Sequence, residues 1–224
     1  MAENSRRQYY HPWTCYSHPI IMEKAILLFD IDYTIFNTDR FKQKINEYIY
    51  HYFHLDKEKF ELFDTQYQKN IQEVIGINIK DYSEQIGKEF SLPPERIFSL
   101  IMDNQNLYLH SIYPDTLPAL TLLSKNYILG IFSQGYADFQ MNKLTKMRIL
   151  PYFNEKYIFI FPHKIHKNNI LQLPKNGVII DDKLSVVEAV IPYIPAILIN
   201  RGIATHSYKP SIKKLTEIID ILSS

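Results

Sequence analysis

The sequence predicts an α/β protein: a doubly wound, Rossmann-like parallel sheet with a helical segment inserted after its first strand. Three observations carry this. Apolar runs of strand length recur as AILLF (25–29), YILGIF (127–132), YIFIF (157–161), GVII (177–180) and AILI (196–199). From the second run onward, helix-like segments separate them. The long stretch 37–112 shows three- and four-residue apolar spacing and no strong strand. Continuous apolar runs without polar alternation suit strands buried on both faces, as in a parallel sheet covered by helices. Ligands then bind beyond the strands' carboxyl ends.

Taken in order, residues 1–24 are polar and aromatic without periodicity and are expected to form a loose tail. Residues 25–36 open the core. In 37–112, Phe41, Ile45, Tyr48, Ile49 and Tyr52 mark one helix face. A second helix is expected around Glu58 to Gln72, and another beginning at Pro93-Pro94, where proline suits a first helical turn. Hinges are placed near Asn37 and Tyr113. Residues 113–224 return to the core, with a helix from Pro114 to about Lys125 and a last helix from about Pro210 to Leu222.

Composition narrows the function classes. At 224 residues and 46% hydrophobic, the chain can bury a sizeable core. Lys and Arg number 25 against 24 Asp and Glu, a net charge of +1, so no strong field draws the protein to nucleic acid or an anionic membrane. The basic runs KIHKNN and RRQYY are too short for a nucleic-acid face. No apolar run reaches the roughly 20 residues of a membrane-spanning helix. The single cysteine, Cys15, excludes an internal disulfide and a multi-Cys metal site, and a cytoplasmic location is expected. The sequence sets no expectation for the oligomeric state.

Chemistry concentrates at the strand ends. AILLF runs into Asp30-Ile31-Asp32-Tyr33-Thr34, and GVII into Asp181-Asp182. Four carboxylates on neighbouring buried strand ends repel one another unless a cation sits between them, and oxygen-only ligands favour Mg²⁺. YILGIF ends in Ser133-Gln134-Gly135 before a helical segment, offering a hydroxyl and backbone N–H groups to an anion. After YIFIF comes Pro162-His163-Lys164-Ile165-His166-Lys167, a source of cations that offset a phosphate.

The ordered set FDIDYT, IFSQG, PHKIHK and IIDD resembles the four signature motifs of the haloacid dehalogenase-like (HAD) hydrolase superfamily, across residues 25 to 200. The resemblance implies a phosphatase in which Asp30 is the nucleophile and a Mg²⁺ ligand, and Asp32 the general acid/base whose carbonyl also touches the metal. It implies that Ser133 and the amide of Gln134 hold a phosphoryl oxygen, with Gly135 and Thr34 completing the substrate-binding set. Lys164 would steady Asp30 and the phosphate, Lys167 being the alternative. Asp181 and Asp182 would complete the metal shell. The segment 37–112 matches the place of the family's helical cap, which suggests a small soluble phosphate ester as substrate. Dehalogenase members lack an aspartate at the position of Asp32, which favours phosphate chemistry here.

The chain departs from the family pattern in three places. Tyr33 stands where glycine is usual, Gln134 replaces asparagine, and Ser185 stands where a further aspartate often follows the Asp181-Asp182 pair. A phosphomutase would use the same residues, and a non-catalytic module that binds a phosphorylated ligand would keep the same fold.

Overall fold

A computed structural model describes residues 24–70, 75–202 and 208–222. The expected tail, up to residue 23, lies outside these, as does the end of the helix expected to reach Gln72. Six strands form one parallel sheet: β1 (Ile26–Phe29), β2 (Ile128–Gln134), β3 (Ile158–Phe161), β4 (Gly177–Asp181), β5 (Ala196–Ile199) and β6 (Ser211–Ile212). Their order is β3-β2-β1-β4-β5-β6. The chain therefore builds outward on one side of β1, then returns to add β4 on the other, the reversal that opens a crevice at the carboxyl ends.

Strand residues alternate between two cores. Leu27, Phe29, Leu129 and Ile131 pack on one face with the inserted helices, while Ile26, Leu28, Phe132 and Ile179 pack on the other. Burial on both faces explains why these strands read as unbroken apolar runs. Four of the five expected strands match to within two residues at either end, and AILI matches at both.

Among the described residues six helices lie between β1 and β2; the sixth leads into β2, and the first five fill the inserted segment: α1 (Thr38–Tyr52), α2 (Lys57–Asn70), α3 (Ile79–Phe90), α4 (Pro94–Asp103) and α5 (Gln105–Leu109). Asn37 caps α1 by accepting a hydrogen bond from the Arg40 amide, and Phe41, Ile45 and Ile49, spaced four apart, are its buried stripe. The two chain crossings are tied together: the Asn37 amide donates to Ser111 O at 2.7 Å and the Tyr113 amide to Ile35 O at 3.3 Å. Arg201 reinforces them. Its guanidinium donates to Thr34 O and to Asp115 Oδ1, and stacks 4.0 Å from the Tyr113 ring centre.

The core continues with α6 (Thr116–Leu123), α7 (Ala137–Lys146), α8 (Lys167–Ile170), α9 (Leu184–Val190) and α10 (Ile218–Leu222). The helix expected from Pro210 is a correction. Ser211 and Ile212 instead pair with Leu198 and Ile199 as β6, and Ile212 is buried. Helical turns start only after Lys214, where Glu217 accepts the Lys213 and Lys214 amides. No helix of the described residues is long and apolar enough to cross a membrane.

Gly130 shows how closely the sheet packs. A Cβ there would meet Tyr157 O at 2.5 Å and Leu28 Cδ2 at 2.8 Å. Gly130→Ala is therefore expected to cost about 1–3 kcal/mol, seen as a lower urea midpoint with an unchanged slope. A wild-type midpoint would show that β2 can shift away from Tyr157 at no cost.

Candidate active site

The ends of four parallel strands converge at the crevice. Register places Phe29 beside Ile180, so the next residues, Asp30 and Asp181, stand side by side. Both are buried, at 5% and 0% exposure. Lys164, from the turn after β3, is 3% exposed and donates to Asp30 Oδ1 at 2.7 Å and to Asp181 Oδ2. Lys167 opens α8 and is exposed, so the geometry puts Lys164, not Lys167, at the carboxylates. Ser133, at the end of β2, donates to the same Asp30 Oδ1 at 2.9 Å. The Gln134 side chain accepts from the Lys164 amide at 3.3 Å, linking β2 to the lysine turn.

Asp182 completes the acidic group. One ligand atom each of Asp30, Asp181 and Asp182 lies within 4.8 Å of the others. Burial, and then the charges of Asp30 and Asp181, push the Asp182 carboxyl up to about 8. Burial also raises Asp30, to about 6, with Lys164 opposing the shift and Asp181 adding to it. For Lys164, burial works against the charged form, but Asp181 and Asp30 outweigh it and hold the ammonium above its ordinary range. Asp182 Oδ1 is buried and makes no hydrogen bond among the described residues. Three gathered carboxylates, two of them bonded by one ammonium and the third with an unpartnered buried oxygen, fit a hard divalent cation with oxygen ligands.

Asp32, two residues on, sits in a different environment. Its carboxylate accepts from Thr38 Oγ1 at 2.6 Å, Gln140 Nε2 at 2.8 Å and Lys143 Nζ at 2.7 and 2.9 Å. Burial alone would raise its carboxyl, but the charge and hydrogen bond of Lys143, with the bonds from Thr38 and Gln140, outweigh it and hold the group below the usual range. Sequence reasoning missed Lys143 and Gln140. Their signal was there: on α7 both stand on the face that also buries Phe139 and Leu144, where a lysine needs a partner.

The remaining expected residues fall differently. Thr34 is fully buried and outside the crevice lining; its carbonyl instead anchors Arg201. The Gly135 amide donates to Phe161 O at 3.0 Å, so this N–H extends the sheet hydrogen bonding toward β3. What Gly135 provides is room: its φ is 144°, and a Cβ would meet Gln140 Nε2 at 2.9 Å. Tyr33 does take a left-handed conformation, with φ at 57°, at a cost of about 1–2 kcal/mol. Its ring is half-buried, and its hydroxyl donates to Asp39 Oδ1 at 2.7 Å. The crevice encloses a cavity of about 440 Å³, with Asp30, Asp32 and Lys164 in its lining and α1 contributing Thr38, Phe41 and Ile45.

An α/β sheet that gathers a buried carboxylate, a bridging lysine and an acidic pair at its switch point has the makings of an active site. The model of the haloacid dehalogenase-like hydrolase family matches residues 27–169, and the chain belongs to that family. Among solved structures it is similar to a HAD phosphatase from Thermococcus onnurineus, with 23% identity, coverage of 89% of this chain and 97% of that one, and a TM-score of 0.59. It is also similar to a HAD-hydrolase from Bacillus subtilis described as bound to magnesium, with 16% identity, coverage of 90% and 100%, and a TM-score of 0.59. A third is a defluorinating L-2-haloacid dehalogenase, with 14% identity, coverage of 90% and 96%, and a TM-score of 0.61. These likenesses show a shared fold. No match was found among curated proteins.

Two outcomes follow. Between the ordinary value of 3.8 and about 8, folded Asp182 retains a proton that the unfolded chain has released. Its stability contribution is therefore lost as pH rises through that window. Without metal, thermal stability should fall from mildly acidic to mildly alkaline pH, and a divalent cation should restore more of it at the alkaline end. Calorimetry reads both; a melting temperature indifferent to cation at every pH would remove the metal reading. Second, Lys143→Met leaves the Asp32 carboxylate, whose side chain is 27% exposed, without its cation. A loss of about 2 kcal/mol in urea unfolding is expected, and wild-type stability would contradict the pairing.

Proposed function

We propose that this hydrolase is a Mg²⁺-dependent phosphomonoesterase of the cytoplasm, acting on a small phosphorylated metabolite through a phospho-aspartate on Asp30. The observation that carries the reading is Asp32: a second carboxylate in the crevice, two residues from the nucleophile and held by three side chains. A halide leaving group requires no proton, whereas an alkoxide does, so a positioned acid/base favours ester chemistry.

Ser133 and Lys164 both engage Oδ1 of Asp30, which leaves Oδ2 as the oxygen that neither holds. An Asp30 carboxylate oxygen attacks phosphorus, the ester P–O bond breaks, and protonated Asp32 gives its proton to the departing oxygen. Water then attacks the phosphoryl group and Asp32 takes its proton. The bond to Asp30 breaks, releasing phosphate and restoring the carboxylate. Lys143 holds Asp32 below its usual range, so the base form is the resting one; the proton used in the first step arrives on the singly protonated phosphate ester and passes to Asp32 on binding. Lys164 and Ser133 offset charge on the phosphoryl oxygens. Asp30, Asp181 and Asp182 would hold Mg²⁺, which supplies charge neutralisation to the phosphoryl oxygens when bound. The helices α1 to α5 would act as a cap that limits water and admits only small substrates.

Inorganic phosphate release from a panel of small esters, with and without Mg²⁺, tests the reading. Metal-dependent turnover is expected, reduced about a thousandfold or more in Asp30→Asn and about a hundredfold in Asp32→Asn. Turnover without phosphate release would point to a phosphomutase. Well-folded protein inert toward every ester would sink the phosphatase reading.

A further inference from the structure

We infer that the substrate carries an apolar or aromatic body beside its phosphoryl group, and that polyhydroxylated bodies such as sugars are poor fits. This rests on the phosphatase reading above and narrows its substrate class. The cavity runs from Asp30 and Lys164 outward to Phe41 and Ile45 of α1, Ile77, Ile79 of α3, and Tyr136 and Phe139 around the start of α7. Apolar carbon thus faces it from both the inserted helices and the core.

The polar side chains along the same wall are already engaged. Thr38, Gln140 and Lys143 all donate to Asp32, and the Gln140 amide nitrogen also donates to Gln134 O at 2.8 Å. The other end of the Gln140 amide, Oε1, is buried out of reach of solvent and has no partner among the described residues. Further out, Gln68 leans on Asp64 at 3.4 Å, and the Tyr33 hydroxyl is held by Asp39. Among the described lining residues this leaves three polar side chains without a hydrogen bond to a neighbour: Lys183, beside the acidic group at the phosphoryl end, and, beyond that end, Lys42 and the Tyr136 hydroxyl.

The two groups beyond the phosphoryl end cannot satisfy a ring of hydroxyls. Each hydroxyl carried against Phe41, Ile45 or Ile77 gives up water and gains no partner. A benzyl or butyl group of similar size instead gains from leaving water. The two effects act in the same direction, and together they set a preference of about tenfold or more in kcat/KM.

The test is phosphate release, in Mg²⁺, from benzyl and n-butyl phosphate against glycerol 3-phosphate, ribose 5-phosphate and glucose 6-phosphate. All are esters of primary alcohols, so their leaving oxygens differ little in basicity. Acetyl phosphate, which needs little of the pocket, serves as the reference for the chemistry. Benzyl and butyl phosphate are expected to exceed the hydroxylated esters by about tenfold or more. Ile77→Gln, at a half-buried position, should shrink that ratio several-fold. The ratio is taken within each variant, so any loss of folded protein cancels. A wild-type ratio near one or below, or a ratio unmoved by both Ile77→Gln and Ile45→Gln, would overturn the inference while acetyl phosphate turnover leaves the phosphatase reading standing. Failure on acetyl phosphate and every ester alike would remove the phosphatase reading, and this inference with it. Calorimetric binding of benzylphosphonate to Asp30→Asn, tighter than that of methylphosphonate, supports the pocket independently of turnover; equal affinities overturn it.

Discussion

Charge crowding at the head of the sheet is the constraint on which the rest of the site depends. Parallel pairing of β1 with β4 sets Asp30 next to Asp181 whatever the loops do, and the adjacent Asp182 adds a third buried carboxylate. Buried like charges cannot all ionise without compensation. Lys164 supplies part of it, reaching from beyond β3 to both Asp30 and Asp181. A buried ion pair of this kind is a weak contributor to stability, because desolvation offsets its attraction. Its retention in a sheet otherwise filled with Ile, Leu and Phe is better explained by chemistry. The same argument makes Asp182, whose Oδ1 has no partner among the described residues, the least compensated of the three carboxyls.

Two carboxylates only two residues apart end with opposite shifts. Asp30 is raised, chiefly by burial, while at Asp32 the bonds from Lys143, Thr38 and Gln140 overcome burial and lower it. Separation of this kind is how one loop provides groups with different proton affinities at one pH. The turn that achieves it is strained. Tyr33, the residue after Asp32, has φ at 57°, and its amide donates to Phe36 O at 2.8 Å, closing the loop over residues 31–36. Glycine would adopt this conformation without the penalty. Here the left-handed backbone is kept by the loop's own hydrogen bonds and by the Tyr33 hydroxyl on Asp39.

What could be read from the sequence follows from how each feature is encoded. The strands were legible because burial on both faces writes itself as an unbroken apolar run, and the carboxylates because they stand directly after those runs. β6 was not legible: two residues carry no periodicity, and Ser211-Ile212 is indistinguishable from the start of the helix expected at Pro210. The true helical start is set by the Glu217 side chain reaching back to the amides before it. Thr34 shows a different limit. A motif string gives order along the chain and not direction, and in a loop this tight the threonine turns into the core while its carbonyl faces Arg201. Lys143 and Gln140 carry no motif at all, and only their place on the buried face of α7 marks them.

Lys143 also shows why a lysine can be tolerated there. Its side chain is 4% exposed, yet its ammonium meets both oxygens of Asp32 and lies 4.6 Å from the ring centre of Phe139 and 5.2 Å from that of Phe36. Ring faces attract a cation that has lost its water, so the aromatic cluster offsets part of the desolvation that Asp32 alone would have to cover. Phe36 belongs to the loop after β1 and Phe139 to α7, and both pack against Phe41 of α1. One aromatic cluster therefore does two things. It seats the lysine that fixes Asp32, and through Phe41 and Phe139 it forms part of the apolar wall that a substrate would meet. Asp32 and the pocket beside it are held by the same side chains, so under the function proposed above substitutions in this cluster act on chemistry and selectivity together.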